Sequence, residues 1–378
     1  MVLVRNPFKP TAGARPPLLV GRQDSLDSFR EGLEDGSGAP GLLTIFTGAR
    51  GVGKTVMLTE AEDVAIEAGW AVVTDTATPG LINRLTRAIQ KHLDELGRGP
   101  TGRRITAVTI AGSGVTTMLP PDPVRDLRTV ATELTALLAA HGTGLVISID
   151  EIHAVDRAEL TELAAAIQHL IREELPVSLL VAGIPKSVSD LLNERVSTFL
   201  RRAERVDLRD VLIWEVEAAF AQTFRDTGII ATEAQIQFMA DATEGYPFLI
   251  QLVGYQVWRL AVDGALTDAA VTQGIAAAHR RLGSTVLQAS LSDLSQVDRT
   301  FLLKMAEDDG PSRVSEIALR LGETAKYVST YRRRLIESGV VISAGHGLVD
   351  FAVPRLREHL REHAASSVRG RSSSESAT

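Results

Sequence analysis

The chain has 378 residues, of which 44% are hydrophobic and 23% charged, enough apolar material to fill the cores of more than one domain. Its net charge of −7 excludes an overall basic coat for nucleic acid, though not a local basic patch. The chain contains no cysteine, which excludes thiol catalysis, Cys-ligated metals and a disulfide framework. No apolar run reaches the ~18 residues that a membrane helix needs. The N-terminus, MVLVRNPFKPTAGARPP, has no apolar core ahead of a cleavage site, and the protein is expected to be cytoplasmic.

In chain order, residues 1–17 are expected to form a flexible arm, because Pro7, Pro10, Pro16 and Pro17 with Gly13 oppose helix and central strand. From Leu42 short β-rich runs alternate with helical stretches. The predicted strands are Leu42–Phe46, Trp70–Thr74, Leu145–Ile149, Val177–Ala182 and Arg205–Leu208. Several are apolar throughout, the mark of parallel strands buried on both faces. The intervening segments 54–68, 80–96, 124–141 and 157–174 read as helices, which together make βαβ units. An insertion, 103–118, is rich in β-branched residues around Gly112-Ser113-Gly114 and predicts a β-hairpin. The span 18–208 is thus an α/β core. Residues 209–290 read as a helical unit, with Trp214–Arg225, Glu233–Ala242, Phe248–Val262 and Asp268–Leu282 as helices. A third unit spans 294–363, and the polar tail 364–378 is expected to be disordered.

Gly48-Ala49-Arg50-Gly51-Val52-Gly53-Lys54-Thr55 fits G-x-x-x-x-G-K-[ST]. Its glycines let the backbone N–H groups, with those of Val56 behind them, converge on phosphate oxygens, and the following helix adds its positive end. Lys54 places a charge on the β- and γ-phosphates, and Thr55 offers an oxygen to Mg²⁺. The strand 145–149 runs into Asp150 and Glu151, two acids at the tip of a buried strand. Asp150 suits the Mg²⁺ water shell, and Glu151 suits the attacking water. His153, just after them, is read as a polar packing residue.

With both motifs in place the chain resembles the AAA+ ATPases, and most of all the branch holding the Orc/Cdc6 replication initiators and the related STAND signalling ATPases. The resemblance runs over about 16–363. It implies a P-loop NTPase fold, a five-stranded parallel sheet in the order 5-1-4-3-2 with a helical lid at 209–290. Leu19-Val20-Gly21-Arg22 resembles the motif whose backbone borders adenine, or is an ordinary loop. Gly245-Tyr246-Pro247 resembles the lid motif that closes over the base through Pro247, or is a helix C-cap glycine followed by a proline start. Two departures stand out. The fourth strand ends in Ala182-Gly183, where the family carries a polar sensor of the γ-phosphate. Arg201, Arg202 and Arg205 all stand where the family keeps the arginine finger that completes a neighbour's site; solvated arginines ending a helix are the alternative.

In the third unit, helices Leu294–Ala306, Val314–Leu321 (capped by Ser312) and Ala325–Ser338 precede strands Val340–Ser343 and Leu348–Val353, the order of a winged helix. Val328, Tyr331 or Arg332, and Leu335 are expected to face inward. Thr324, Lys326, Tyr327, Thr330, Arg333 and Arg334 would then face outward, toward a DNA major groove. The unit holds eleven Lys/Arg against ten Asp/Glu between 295 and 363, so a protein-docking role stays open. The expectation is an ATP- and Mg²⁺-binding AAA+ ATPase with slow hydrolysis and a nucleotide-dependent homo-oligomer. In one version it is a switch on double-stranded DNA. In the other it is a STAND-like switch that signals to an effector protein in trans.

Overall fold

The computed structural model describes residues 5–11, 13–96, 125–152, 156–185, 188, 198–292 and 294–362. The expected hairpin 103–118, His153 and the tail 364–378 lie outside the described residues.

Among the described residues, β1 (Leu43–Thr47), β2 (Ala71–Thr76), β3 (Leu145–Asp150), β4 (Val177–Gly183) and β5 (Glu204–Asp207) form one parallel sheet. Its order, β2-β3-β4-β1-β5, is the expected 5-1-4-3-2 read from the other edge. The central strands β3 and β4 are buried nearly throughout, which is why they read as continuous apolar runs. On one face lie α3 (Leu81–Glu95), α4 (Leu127–Ala139) and α5 (Arg157–Arg172). Leu81, Leu85, Ile89 and Leu93 make a one-sided stripe on α3 and are fully buried. Asp126 and Asp156 cap α4 and α5, accepting the N–H groups of Thr129 and Glu159 at 2.8 and 2.9 Å. The Glu159 carboxylate in turn accepts the N–H groups of Gly80 and Ile82 and so closes the positive end of α3.

The opposite face carries α1 (Gln23–Asp35) and α2 (Lys54–Glu67). Helix α1 was not among the predicted elements; its buried residues Leu26, Phe29 and Leu33 keep helical spacing ahead of the first strand. The lid follows as α6 (Ile213–Asp226), α7 (Glu233–Asp241), α8 (Pro247–Trp258) and α9 (Asp268–Leu282). A π-helical turn, Gly283–Leu287, and α10 (Gln288–Ser292) lead out of it.

The C-terminal unit runs α11 (Gln296–Met305), β6 (Ser312–Arg313), α12 (Val314–Leu321), α13 (Ala325–Glu337), β7 (Val341–Gly345) and β8 (Leu348–Phe351). Its strands pair antiparallel in the order β6-β8-β7. Ser312 is not a cap: it lies in β6 and donates to the Met305 carbonyl, and α12 starts at the uncapped Arg313.

The described residues before α1 include one that packs in the core. Phe8 is 3% exposed and packs on Phe220 and Phe224 of α6. Prolines keep this segment out of helix and sheet without keeping it out of the core. Among the described residues no helix is long and apolar enough to cross a membrane.

Candidate functional site

The P-loop joins β1 to α2. Gly53, at φ +94°, turns the chain into the helix, and Gly51, at φ +77°, lies against Tyr246 so closely that any β-carbon would collide with the phenol oxygen. Lys54 is 8% exposed, and its Nζ donates to the carbonyls of Gly48 at 3.1 Å and Ala49 at 2.7 Å. Burial holds its pKa below the ordinary lysine value, a shift that Glu151 and Asp150 partly offset. The Thr55 hydroxyl donates to Asp150 Oδ2 at 2.6 Å, so the last residue of the loop motif and the acid ending β3 meet directly. Glu151 follows with φ +55°, a left-handed conformation rare for a side-chain-bearing residue, and its N–H donates to Asp150 Oδ1 at 2.8 Å.

Lys54, Thr55 and Glu151 border a cavity of about 670 Å³ between core and lid. Arg50, Gly51, Val52, Gly53, Lys54, Thr55 and Val56 form its floor. Glu151 and Ile184 close one side, and Leu19, Val20 and Arg22 another. Pro247 and Phe248 of α8 form the roof with Thr285 and Val286 of the π-helical turn. A pocket of this size, lined both by apolar side chains and by the N–H groups and charge of the P-loop, suits a nucleotide. The hard oxygens of Thr55 and Asp150, side by side, would suit Mg²⁺.

The geometry revises several residue expectations. Gly48 and Ala49 serve the site through the carbonyls that hold Lys54. Gly21 backs onto the Glu215 carboxylate. Arg22 lines the cavity, but its guanidinium donates to the Arg209 carbonyl and faces Asp210, which ties the motif to the hinge between core and lid. Arg201 and Arg202 are exposed on the 3₁₀ turn Thr198–Arg202 before β5 and do not line their own chain's cavity. On α13, Val328 and Leu335 are fully buried as expected, and Lys326, Thr330 and Arg333 are exposed. Tyr327 is half-buried with its ring 4.6 Å from that of Tyr331. Arg334 is exposed as expected, and it is also engaged within the chain. Its Nε donates to Asp298 at 2.9 Å, and its guanidinium lies over the Tyr331 ring. Asp298 belongs to α11, so only the packing of two helices shows that this arginine is occupied.

Sequence reasoning missed three features. Tyr246 is fully buried, and its hydroxyl donates to the Arg50 carbonyl at 2.7 Å, a lid-to-P-loop bond. Gly339, in the turn after α13, is buried with its β-position 3.5 Å from Ala49 Cα, so the C-terminal unit rests on the P-loop. A groove between α13 and the β7–β8 turn is lined by Ser329, Arg332, Ser343 and His346. None follows a local motif, since each joins segments far apart in the chain.

Comparison with known proteins agrees with this geometry. A family model described as AAA ATPase domain matches residues 18–181. That segment is an AAA ATPase domain. Residues 284–360 match a second model, a domain of unknown function (DUF8462). The fold of the chain is similar to that of the Walker-type ATPase PABY2304 of Pyrococcus abyssi, with TM-score 0.66, 16% identity, and 92% of this chain and 97% of that one covered. It is also similar to the Aeropyrum pernix ORC2 protein in its ADPNP–ADP complexes, with TM-score 0.60, 15% identity, and 95% and 98% covered. No curated protein matches the chain in sequence.

Proposed function

We propose that this AAA ATPase is a slow, Mg²⁺-dependent ATP switch whose C-terminal unit is a winged helix that binds duplex DNA under nucleotide control. One observation carries the reading: Gly339 of the C-terminal unit rests on Ala49 of the P-loop. A loop that wraps phosphates and a module packed on that loop are energetically coupled, so a nucleotide that rearranges one shifts the other.

The chemistry follows from the residues around the cavity. Lys54 exchanges its loop carbonyls for the β- and γ-phosphate oxygens, while the P-loop N–H groups hold the rest of the chain of phosphates. Thr55 and Asp150 would hold Mg²⁺, which would supply charge to neutralise developing phosphate charge. Glu151 accepts a proton from the water that attacks the γ-phosphorus; the bond to the bridging oxygen breaks, and ADP and phosphate leave. Slow turnover is supported by β4, which ends in Ala182-Gly183 with no polar side chain to fix the γ-phosphate in line. Arg201 or Arg202 supplies the missing cation from a neighbouring copy in an ATP-dependent homo-oligomer.

The proposed DNA face of α13 is supported by the exposure of Lys326, Thr330, Arg333 and Arg334, and Arg332 beside the β7–β8 turn adds a cation. The second reading, a STAND-like switch that docks an effector protein, is favoured by the engagement of Arg334 with Asp298. A salt titration of duplex binding, with and without ATP, separates the two. A nucleotide-dependent affinity with a steep salt slope supports the DNA switch. Weak binding that ignores nucleotide supports effector docking.

A further inference from the structure

Residues 5–17 precede the matched AAA domain, and among their described members none is in a helix or strand, yet they are anchored at both ends. The first anchor is on the lid. The Phe8 ring meets Phe220 edge-on at 5.8 Å and Phe224 at 5.6 Å, and it covers Gly254 of α8, where any β-carbon would collide with it. Asn6 Nδ2 donates to the Tyr255 carbonyl at 3.0 Å, and the Lys9 N–H donates to Gln251 Oε1 at 3.1 Å. The second anchor is on the core. The Arg15 guanidinium pairs with Asp63 and, at 3.7 Å, with Glu60, both on α2. Between the anchors, Lys9, Pro10, Thr11, Gly13 and Ala14 line the cavity, and the β-position of Gly13 is 3.5 Å from Thr55 Cγ2.

The anchors differ in kind. Phe8 is sealed in an aromatic cluster and is lost only at the cost of exposing that cluster to water. The Arg15 side chain is 45% exposed, and an ion pair of that sort is weak. The strap therefore has a fixed end on the lid and a releasable end on the helix that the P-loop begins.

We infer that this strap is a wall of the nucleotide site and its gate: nucleotide enters and leaves when Arg15 lifts from Glu60 and Asp63 while Phe8 stays seated, so strap and lid move as one piece. The inference rests on the reading of the cavity as the ATP site. It makes Arg15 a positioning residue that controls exchange without touching the phosphates.

The absence of cysteine gives a clean test, since introduced thiols are the only ones present. The double variant R15C/D63C is loaded with a fluorescent ADP analogue, joined by a short thiol-to-thiol crosslinker, and its release rate compared with that of the same variant left unjoined. Release slows at least tenfold on joining. In separate chains, R15A releases the analogue two- to fivefold faster than the unsubstituted protein, and R15E faster again, because it sets a third carboxylate beside Glu60 and Asp63. Equal release from joined and unjoined chains overturns the gate while leaving the nucleotide site standing. Failure of the unsubstituted protein to bind the analogue at all overturns the ATP reading, and the gate with it.

Discussion

The Tyr246 hydroxyl donates a 2.7 Å hydrogen bond to the Arg50 carbonyl, and its ring lies where a β-carbon on Gly51 would have to go. A fully buried side chain of the lid is therefore part of the wall that shapes the phosphate loop. Tyr246→Phe removes the donor and leaves the carbonyl without that partner, at a cost of about 1–3 kcal/mol in stability. Thermal unfolding should show that loss, and calorimetry should show weaker ATP binding. Gly51→Ala, which inserts a methyl group against the phenol at φ +77°, should weaken binding further.

The same residue makes a pH prediction. Burial, helped by Asp210, holds the Tyr246 phenol above its ordinary value of about 10. Below pH 10 the phenol is protonated in both folded and unfolded chains and its contribution is fully present. As pH rises past 10 the unfolded phenol ionises first, and stability falls by up to about 1.4 kcal/mol per pH unit. Denaturant unfolding between pH 9 and 11 should fall more steeply for the unsubstituted protein than for Tyr246→Phe.

Lys54 is a buried cation of the phosphate loop, and its Nζ donates to the carbonyls of Gly48 and Ala49. Lys54→Ala should weaken ATP binding at least tenfold, about 1.4 kcal/mol, in a calorimetric titration. Unchanged affinity would remove the phosphate assignment.

Glu151 is held at φ +55° beside Asp150, a conformation that costs of order 1–3 kcal/mol and clusters at functional sites. Glu151→Gln keeps the shape and loses the proton acceptor. It should bind ATP normally and release phosphate far more slowly in the steady state, while the unsubstituted enzyme turns over below about 10 s⁻¹.

Arg201 and Arg202 stand exposed on the turn before β5, away from their own cavity. If a neighbouring copy receives them, replacing both by Ala should spare ATP affinity while hydrolysis and analogue-dependent assembly fall together. Light scattering over a concentration series reads the second. A monomer with and without analogue would remove their role at a neighbour's site.

The sheet was legible because β1, β3 and β4 are buried almost throughout and carry mostly apolar residues, and the phosphate loop because its spacing is fixed by backbone geometry. Contacts between distant segments were not. Phe8 sits in a proline-rich stretch that reads as an arm, and its partners Phe220 and Phe224 lie on a helix of the lid. Arg334 has the outward periodicity of a recognition helix, yet Asp298 on α11 reaches it. Arg22 carries the motif of an adenine-side loop, but its guanidinium goes to the hinge at Arg209 and Asp210. In each case local pattern gives the element, and packing decides what the side chain is for.

In the proposed switch the C-terminal unit is held on the P-loop and released by nucleotide, and the contact between Gly339 and Ala49 allows the most direct measurement of it. Gly339 has φ +72°, a conformation that asparagine tolerates, so Gly339→Asn keeps the turn while driving a side chain against Ala49. Duplex affinity is measured at one fixed salt concentration for both proteins, with and without a non-hydrolysable ATP analogue. The unsubstituted protein should bind tightly only with the analogue, and Gly339→Asn should bind tightly in both conditions. Equal affinities across all four measurements would contradict the coupling of the C-terminal unit to the phosphate site.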